Sequence, residues 1–273
     1  MLSEPVTDVH NHHATGQITC RNCANPFEGH FCNQCGQSAH THAVNWHYIW
    51  HEVPHSVWHL DRGILFTLRE LCTRPGHTVR EFLAGKRVKH YRPLALLLIL
   101  GAVVVFVTHS LHVNIAQDTQ KLLSPASATK SGRLQAFQKE ASQFVERNRT
   151  LVQIALIPIY ALGFWIMFRR RGYNYPELLV TQTFVANFAL LFSLIPVLMY
   201  WAMGSSMAVY SSSMSLSLLV MMGYNMIVHT QLYQGKLPTR TIVWRSAAAY
   251  LLGYGLFILL VMLITLVYII VSR

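Results

Sequence analysis

The chain has 273 residues, a formal net charge of +11, 52% hydrophobic residues and only 12% charged residues. Soluble domains carry about a quarter charged residues, so this composition argues against an ordinary soluble globule, and the apolar content argues against a disordered chain. All five cysteines and 12 of the 15 histidines precede residue 91, whereas residues 178–235 contain no Asp, Glu, Lys or Arg. The sequence therefore predicts a polar, metal-binding front followed by a membrane-embedded part.

The N-terminal part opens with a His-rich polar tail over residues 1–17, which we expect to be disordered. Residues 18–40 then contain two C-x2-C pairs separated by eight residues, formed by Cys20, Cys23, Cys32 and Cys35. Each pair can present two thiolates from one tight turn, and two such turns make a tetrahedral four-sulfur site that suits zinc. Because four protein ligands leave no position for a substrate, we predict a zinc ribbon with a structural role.

The same cysteines could instead form two disulfides or hold iron as rubredoxin does. A cytoplasmic location disfavours disulfides, and zinc is the preferred metal, with iron as the lesser alternative. Gly36 supplies conformational freedom after the second pair, whereas Ala24 stands at the equivalent position of the first. The fifth cysteine, Cys72, is predicted to pack on an apolar helix face.

Nucleic-acid binding is not expected of this ribbon. Between residues 19 and 45 the only Lys or Arg is Arg21, and Glu28 opposes it. A nucleic-acid surface needs a basic stripe that neutralises phosphates.

Residues 41–92 are predicted to form amphipathic helices at the cytoplasmic membrane interface. Histidines recur every fourth residue from His47 to His59, and residues 51–55 read H-E-x-x-H, as in zinc proteases. Pro54 breaks the turn that would hold both ligands, so an interfacial helix with Trp at the headgroups is preferred. The alternative is a second metal bound by a catalytic cluster of His51, Glu52, His55, His59 and Asp61.

The segment from residue 60 to residue 92 combines an apolar stripe with eight Lys and Arg against three acids. Thr78 and Glu81 are spaced as a capping box, which predicts a helix start there. A basic amphipathic surface favours the anionic cytoplasmic leaflet. Contacts with lipid headgroups or phosphate are predicted for Arg74, Arg80, Lys86, Arg87, Lys89 and Arg92.

Residues 93–273 are predicted to form a transmembrane domain, because a span needs about 20 apolar residues and each helix satisfies its own backbone. Between the first two spans, residues 110–149 form a loop on the outer side that contains a short amphipathic helix at 131–148. The five predicted spans cover residues 93–112, 150–168, 178–202, 209–233 and 246–271.

The connections between the spans predict the orientation. Lys and Arg cluster before the first span, at residues 169–171 and at residues 236–245, and all three clusters fall on one side. Positive charge marks the cytoplasmic side. The N-terminus is therefore expected in the cytoplasm and the C-terminus in the periplasm of a multi-pass protein of the bacterial inner membrane.

Several runs together resemble the bacterial membrane family called domain of unknown function 3667. They are the ribbon C-R-N-C…C-N-Q-C-G-Q, the run H-E-V-P-H-S-V-W-H-L-D-R-G, the run R-P-G-H-T-V-R-E-F-L-A-G-K-R and the later N-Y-P-E. Ala24 in the first cysteine pair and the longer outer loop depart from the family pattern. The positions that match the pattern are Asp61, Gly63, Arg74, Pro75, Gly76, Glu81, Gly85, Lys86, Arg87, Pro93, Asn174, Tyr175 and Glu177.

The fold class expected from these features is an all-α polytopic membrane protein with about five transmembrane helices, a small N-terminal zinc ribbon and interfacial amphipathic helices. For function, the first hypothesis is a scaffold, lipid-handling or regulatory module whose ribbon docks a protein partner or its own helical surface. The second is a metal-dependent enzyme acting on a lipid or isoprenoid, and the weakest is a small transporter. Anionic membrane lipids are the expected partners.

Overall fold

The computed structural model describes residues 17–39, 41, 44–46, 63–113, 132–204 and 206–271. Most of the predicted tail, the centre of the outer loop and the proposed catalytic residues His51, Glu52, His55, His59 and Asp61 lie outside the described residues. The strands are β1 (Ile18–Thr19) and β2 (Pro26–Phe27). The helices are α1 (Gly63–Thr73), α2 (Pro75–Leu83), α3 (Pro93–Ser110), α4 (Gly132–Arg147), α5 (Arg149–Phe168), α6 (Tyr175–Ala202), α7 (Met207–Leu232) and α8 (Thr239–Val271).

Five of the described helices are long and apolar enough to cross a membrane. This confirms the predicted all-α membrane fold and its count of five spans. Each uncharged segment closes its backbone hydrogen bonds within one helix, which is the arrangement that hydrocarbon requires. The candidate spans are Pro93–Ser110, Arg149–Phe168, Tyr175–Ala202, Ala208–Leu232 and Thr239–Tyr268.

The hairpin of α1 and α2 packs its apolar side on the membrane bundle. Leu71, Val79 and Phe82 are buried in the same hydrophobic cluster as residues of the spans. The Phe82 ring meets the Phe184 ring of α6 edge-on, with centroids 5.2 Å apart, and the Tyr224 hydroxyl of α7 donates to the Leu71 carbonyl at 2.9 Å. The apolar side of α2 that the sequence assigned to lipid is thus covered by protein, whereas Leu65 of α1 is 80% exposed.

Gly76 allows α2 to approach α7 closely. A Cβ at this position would overlap the Val228 carbonyl oxygen and would lie 2.5 Å from the Cβ of Gln231. The Gly76 N–H donates to the Gln231 Oε1 at 2.8 Å. This N–H belongs to the first turn of α2, where no helical carbonyl can accept it, so the glutamine satisfies an otherwise unpaired donor.

The ends of α2 differ in part from the sequence expectation. The helix begins at Pro75, one turn earlier than the predicted capping box, and Thr78 donates to the Arg74 carbonyl inside the helix. That prediction was wrong because proline at the first helical position already sets the start. At the other end Gly85 has a φ of +95°, and the Lys86 N–H reaches back to the Glu81 carbonyl, as in a Schellman motif.

Asn187 joins α6 to the beginning of α3. Its side-chain N–H donates to the Pro93 carbonyl at 2.8 Å, and Asn187 is fully buried. The first span therefore begins about 18 Å along α6 from Tyr175, at 1.5 Å per residue. The part of α6 before Asn187 lies beside the α1–α2 hairpin.

The start of α6 carries the capping box that the structure does contain. The Asn174 side chain accepts from the Glu177 N–H at 2.9 Å, and the Glu177 carboxylate accepts from the Asn174 N–H at 2.7 Å. Together these bonds satisfy two terminal donors. They fix where the helix begins after the basic connection at residues 169–171.

We expect Gly76→Ala to destabilise the protein, because the added methyl group would overlap the backbone of α7. Overpacking of this kind costs about 1–3 kcal/mol. The measurement is the apparent Tm of the purified protein in detergent, followed by tryptophan fluorescence.

Gly223→Ala is the matched control, since Gly223 lies inside α7 and a Cβ there meets no atom within 4 Å. Replacing a helical glycine by alanine is expected to stabilise by about 0.5–1 kcal/mol. Equal Tm values for the two variants would contradict the close approach of α2 and α7.

Candidate metal centre

The ribbon is built from two similar turns, each carrying two cysteines. β1 and β2 pair antiparallel with Ile18 opposite Phe27, and Phe31 forms a bridge with Ser38. The two turns have corresponding backbone hydrogen bonds. These are Cys20 N–H to the Asn25 carbonyl and Ala24 N–H to the Cys20 carbonyl in the first turn, and Cys32 N–H to the Gln37 carbonyl and Gly36 N–H to the Cys32 carbonyl in the second.

The four thiols of the ribbon converge on one point. All four Sγ atoms lie within 4.8 Å of one another, with Cys20 to Cys35 at 3.5 Å and Cys23 to Cys32 at 3.6 Å. All are free cysteines, so the alternative of two disulfides is not realised in this structure. Sulfurs bound to one tetrahedral zinc at about 2.3 Å would lie about 3.8 Å apart, so the spacing fits a four-thiolate metal site.

Backbone hydrogen bonds favour the thiolate form within the ribbon. Burial raises the pKa of the Cys32 thiol, but the N–H groups of Cys35 and Gln34 outweigh this effect and lower the pKa to about 6. The Cys20 pKa is also lowered, because N–H groups of its own turn overcome desolvation. At Cys23 the Asn25 N–H lowers the pKa, but burial and the three neighbouring thiols outweigh it and raise the pKa to about 12. A thiol must lose its proton to bind a metal, so the backbone favours the liganding form at Cys20 and Cys32.

Ala24, which the sequence analysis identified as a departure from the family pattern, adopts a left-handed conformation. Its φ is +60°, and Gly36 has a φ of +75° at the corresponding position of the second turn. For a residue with a Cβ this conformation costs about 1–2 kcal/mol, whereas glycine adopts it freely. The first turn therefore has the same shape as the second at some cost in stability.

The ribbon contacts the α1–α2 hairpin through the side chain of Gln37. Its Nε2 donates to the Gly85 carbonyl at 2.7 Å and to the Thr41 hydroxyl at 3.2 Å, and its Oε1 accepts from the Arg87 N–H at 3.3 Å. Gln37 is only 6% exposed. One buried amide thus recognises the backbone on both sides of Lys86, directly after α2.

Gly85 leaves room for this contact. A Cβ there would lie 3.1 Å from the Arg21 Cδ and 3.5 Å from the Thr41 Cγ2, so the ribbon packs directly on the glycine. The adjoining segment also touches the bundle, since the Trp46 and Tyr175 rings lie 5.7 Å apart. The ribbon therefore sits at the end of the bundle at which α6 begins.

The basic residues predicted to meet lipid headgroups have different environments. Arg74 donates twice to the Glu70 carboxylate, at 2.8 and 2.9 Å, and Arg80 contacts the His77 Nδ1 at 2.6 Å. The Arg87 guanidinium lies over the Phe82 ring, 5.0 Å from its centroid. Lys86, Lys89 and Arg92 are exposed.

Two further histidines, His77 and His90, lie among the described residues of the basic segment. The His90 Nε2 lies 3.3 Å from the Glu81 carboxylate, and the His90 ring packs 5.5 Å from the Phe66 ring. Burial lowers the pKa of His90, and Glu81 opposes that effect. Within the described ranges, the ribbon cysteines are the one group of three or more potential ligands close enough to share a metal.

Sequence reasoning missed the two glutamines that hold α2. Gln37 is 48 residues from Gly85, and Gln231 is 155 residues from Gly76. Nothing local distinguishes Gln37 from Gln34, which is exposed one turn earlier. Cys72 is likewise exposed, so the expectation that it packs against protein was wrong.

Residues 61–105 match the family model described as "Protein of unknown function (DUF3667)". No curated protein and no solved structure gave a match. The resemblance to this family is thereby confirmed, and the matched segment runs through α1 and α2 into α3. It contains both glycines that α2 presents to other parts of the chain, Gly76 to α7 and Gly85 to the ribbon.

We expect Cys32→Ser to abolish stoichiometric metal binding, because three thiolates and a hydroxyl make a much weaker site than four thiolates. Elemental analysis of the purified protein measures the metal content. Cys72→Ser is the control and should retain the wild-type metal content, since Cys72 lies outside the ribbon. Equal metal content in all three proteins would contradict the four-cysteine site.

Ala24→Gly is expected to strengthen the ribbon, because glycine adopts a φ of +60° without the Cβ penalty. The gain should be about 1 kcal/mol. Metal release to a chelator should be slower than in the wild type. Ala39→Gly, at a ribbon position without positive φ, should not slow it.

Proposed function

We propose that this protein is a scaffold of the bacterial inner membrane in which a structural zinc ribbon docks on the chain's own helical surface. The ribbon would hold the α1–α2 hairpin against the ends of α6 and α7. The observation that carries the proposal is the Gln37 side chain, which donates to the Gly85 carbonyl and accepts from the Arg87 N–H.

Burial of these groups supports docking within the chain over docking on a partner. Leaving a buried amide or carbonyl without a hydrogen-bond partner costs about 1–3 kcal/mol, so a buried amide whose groups are all paired is expected to be in its native contact. Gln37 uses both ends of its amide in the contact with the hairpin. Phe31 of the ribbon is 66% exposed, so we propose that any further protein partner would contact the ribbon at this side chain.

Zinc is the metal we propose for the ribbon. Four thiolates suit zinc, and a reducing cytoplasm keeps cysteines available as ligands. The basic connections support a location on the cytoplasmic side, since Arg169–Arg171, Lys236 and Arg240 lie at the ends of helices on the side where α6 begins. Exposed Lys86, Lys89 and Arg92 are then placed to meet anionic headgroups of that leaflet.

The scaffold and enzyme hypotheses predict different metal contents. A variant that lacks Cys20, Cys23, Cys32 and Cys35 should bind no metal if the protein is a scaffold. It should bind one or two equivalents if His51, Glu52, His55, His59 and Asp61 form a catalytic site. Elemental analysis of that variant in detergent or nanodiscs decides between them.

We expect Gln37→Ala to release the ribbon from the hairpin while the metal stays bound. The substitution leaves the Gly85 carbonyl and the Arg87 N–H without their partner, at a cost of about 1–3 kcal/mol. Hydrogen exchange at the Arg87 amide should accelerate by about tenfold or more, since 1.4 kcal/mol corresponds to a factor of ten.

Gln34→Ala serves as the matched control, because Gln34 lies in the same cysteine turn with an exposed side chain. Its exchange pattern and metal content should equal those of the wild type. If Gln37→Ala leaves exchange at residues 85–92 unchanged, the proposal of ribbon docking fails.

A further inference from the structure

A pocket lies inside the membrane bundle, away from the ribbon and its contact with the hairpin. Helices α5, α6, α7 and α8 surround an open-sided cavity of about 140 Å³. A cavity of about 150 Å³ holds a molecule the size of benzene, so this one has room for the head of a small lipid, whose chain would extend through the open side. All the residues that line it belong to candidate spans.

The lining of this pocket is uncharged and combines apolar residues with polar ones. Eleven residues line it, and none is Asp, Glu, Lys, Arg or His. Six are apolar, among them Ala189 and Met221, and the polar ones are Gln153, Tyr160, Gln182, Asn225 and Tyr250. A charged ligand would find no counter-ion here, so the lining selects for an uncharged molecule.

Two buried amides provide hydrogen-bonding groups at the middle of the pocket. The Gln182 Nε2 donates to the Asn225 Oδ1 at 3.3 Å, and the Asn225 Nδ2 donates to the Met221 carbonyl at 2.9 Å. Gln182 is 4% exposed and Asn225 is 1% exposed. Within the described part of the chain the side-chain oxygen of Gln182, Oε1, accepts no hydrogen bond, so it can accept one from a hydroxyl group of a ligand.

Two tyrosines form one wall of the pocket. The Tyr160 and Tyr250 rings are stacked with centroids 5.5 Å apart. Gly253 makes room for this wall, because a Cβ there would lie 2.7 Å from the Tyr160 Cδ1. The phenol groups add hydroxyls that can donate to, or accept from, an oxygen of a ligand.

Most of the polar lining lies at the end of the pocket nearer the basic side of the bundle. Helix α5 ends at Phe168 before the basic connection, and Tyr175, at the start of α6, donates to the Pro158 carbonyl, so Tyr160 lies toward that side. Ala189, Met221 and the amide of Gln153 lie further from it along their helices. A lipid with its head toward the basic side would place oxygen atoms by the tyrosines and the Gln182 and Asn225 amides, and hydrocarbon by Ala189 and Met221.

We infer that this pocket binds an uncharged membrane lipid whose head carries hydroxyl groups, such as a diacylglycerol or an isoprenoid alcohol. The amides and phenols hydrogen-bond the hydroxyl oxygens, and the apolar residues contact the chain. Neither the ribbon nor its metal takes part, so this inference stands independently of the proposed scaffold role.

Photolabelling of the full-length protein in nanodiscs tests the inference. The two probes are a diazirine-bearing diacylglycerol and a diazirine-bearing isoprenoid alcohol, and labelled peptides are identified by mass spectrometry. We expect saturable labelling of α5, α6, α7 or α8 at the pocket, with competition by the unlabelled lipid. The probe that labels identifies the source of the hydroxyl, and an excess of anionic phosphatidylglycerol should not compete.

Ala189→Leu should lower labelling by about tenfold or more, because the larger side chain fills space in the pocket. Ala208→Leu is the matched control and should label like the wild type, since Ala208 is exposed near the start of α7 and does not line the pocket. Tyr250→Phe removes one hydroxyl with little change of shape, and it provides a second test if Ala189→Leu fails to fold. Labelling that is not saturable, that phosphatidylglycerol competes for equally, or that is unaffected by both pocket variants would overturn the inference.

Discussion

The arrangement of this protein depends on two glutamine side chains that hold opposite ends of the short helix α2. Gln231 accepts from the Gly76 N–H at its beginning, and Gln37 binds the Gly85 carbonyl and the Arg87 N–H after its end. Each contact requires a glycine, since a side chain at Gly76 would overlap α7 and one at Gly85 would crowd the ribbon. A ribbon too small for a hydrophobic core is thus fixed to a bundle made of apolar spans.

Burial explains how the amphipathic helix α2 is held beside a membrane. Its apolar side, with Val79 and Phe82, packs on α6 and α7, so that side needs no lipid. On its polar side Arg80 contacts the His77 Nδ1 of the same helix. An amphipathic pattern indicates that one face will be covered, but protein and lipid are equally apolar partners for it. This is why the sequence predicted the helix and its apolar face but assigned that face to lipid.

The spans and the cysteine group could be predicted because their signals are local. An uncharged run such as residues 178–202 must satisfy its own backbone, and two C-x2-C turns bring thiols together whatever surrounds them. The contacts of Gln37 and Gln231 join residues far apart in sequence, so no window of the chain contains them. The sequence predicted a capping box at Thr78 and missed the one at Asn174. The spacing of Thr78 and Glu81 fits a capping box, but it does not show that the helix already begins at Pro75.

Helix α7 connects the two regions of the molecule that we assign to binding. Val228 and Gln231 face α2, Asn225 lines the pocket one turn before Val228, and Met221 lines it one turn before Asn225. Because these residues lie on consecutive turns of one helix, the register that brings Gln231 to the Gly76 N–H also presents Asn225 to Gln182. One helix therefore supplies both the contact that holds the start of α2 and an amide of the pocket, although no residue of the ribbon lines the pocket.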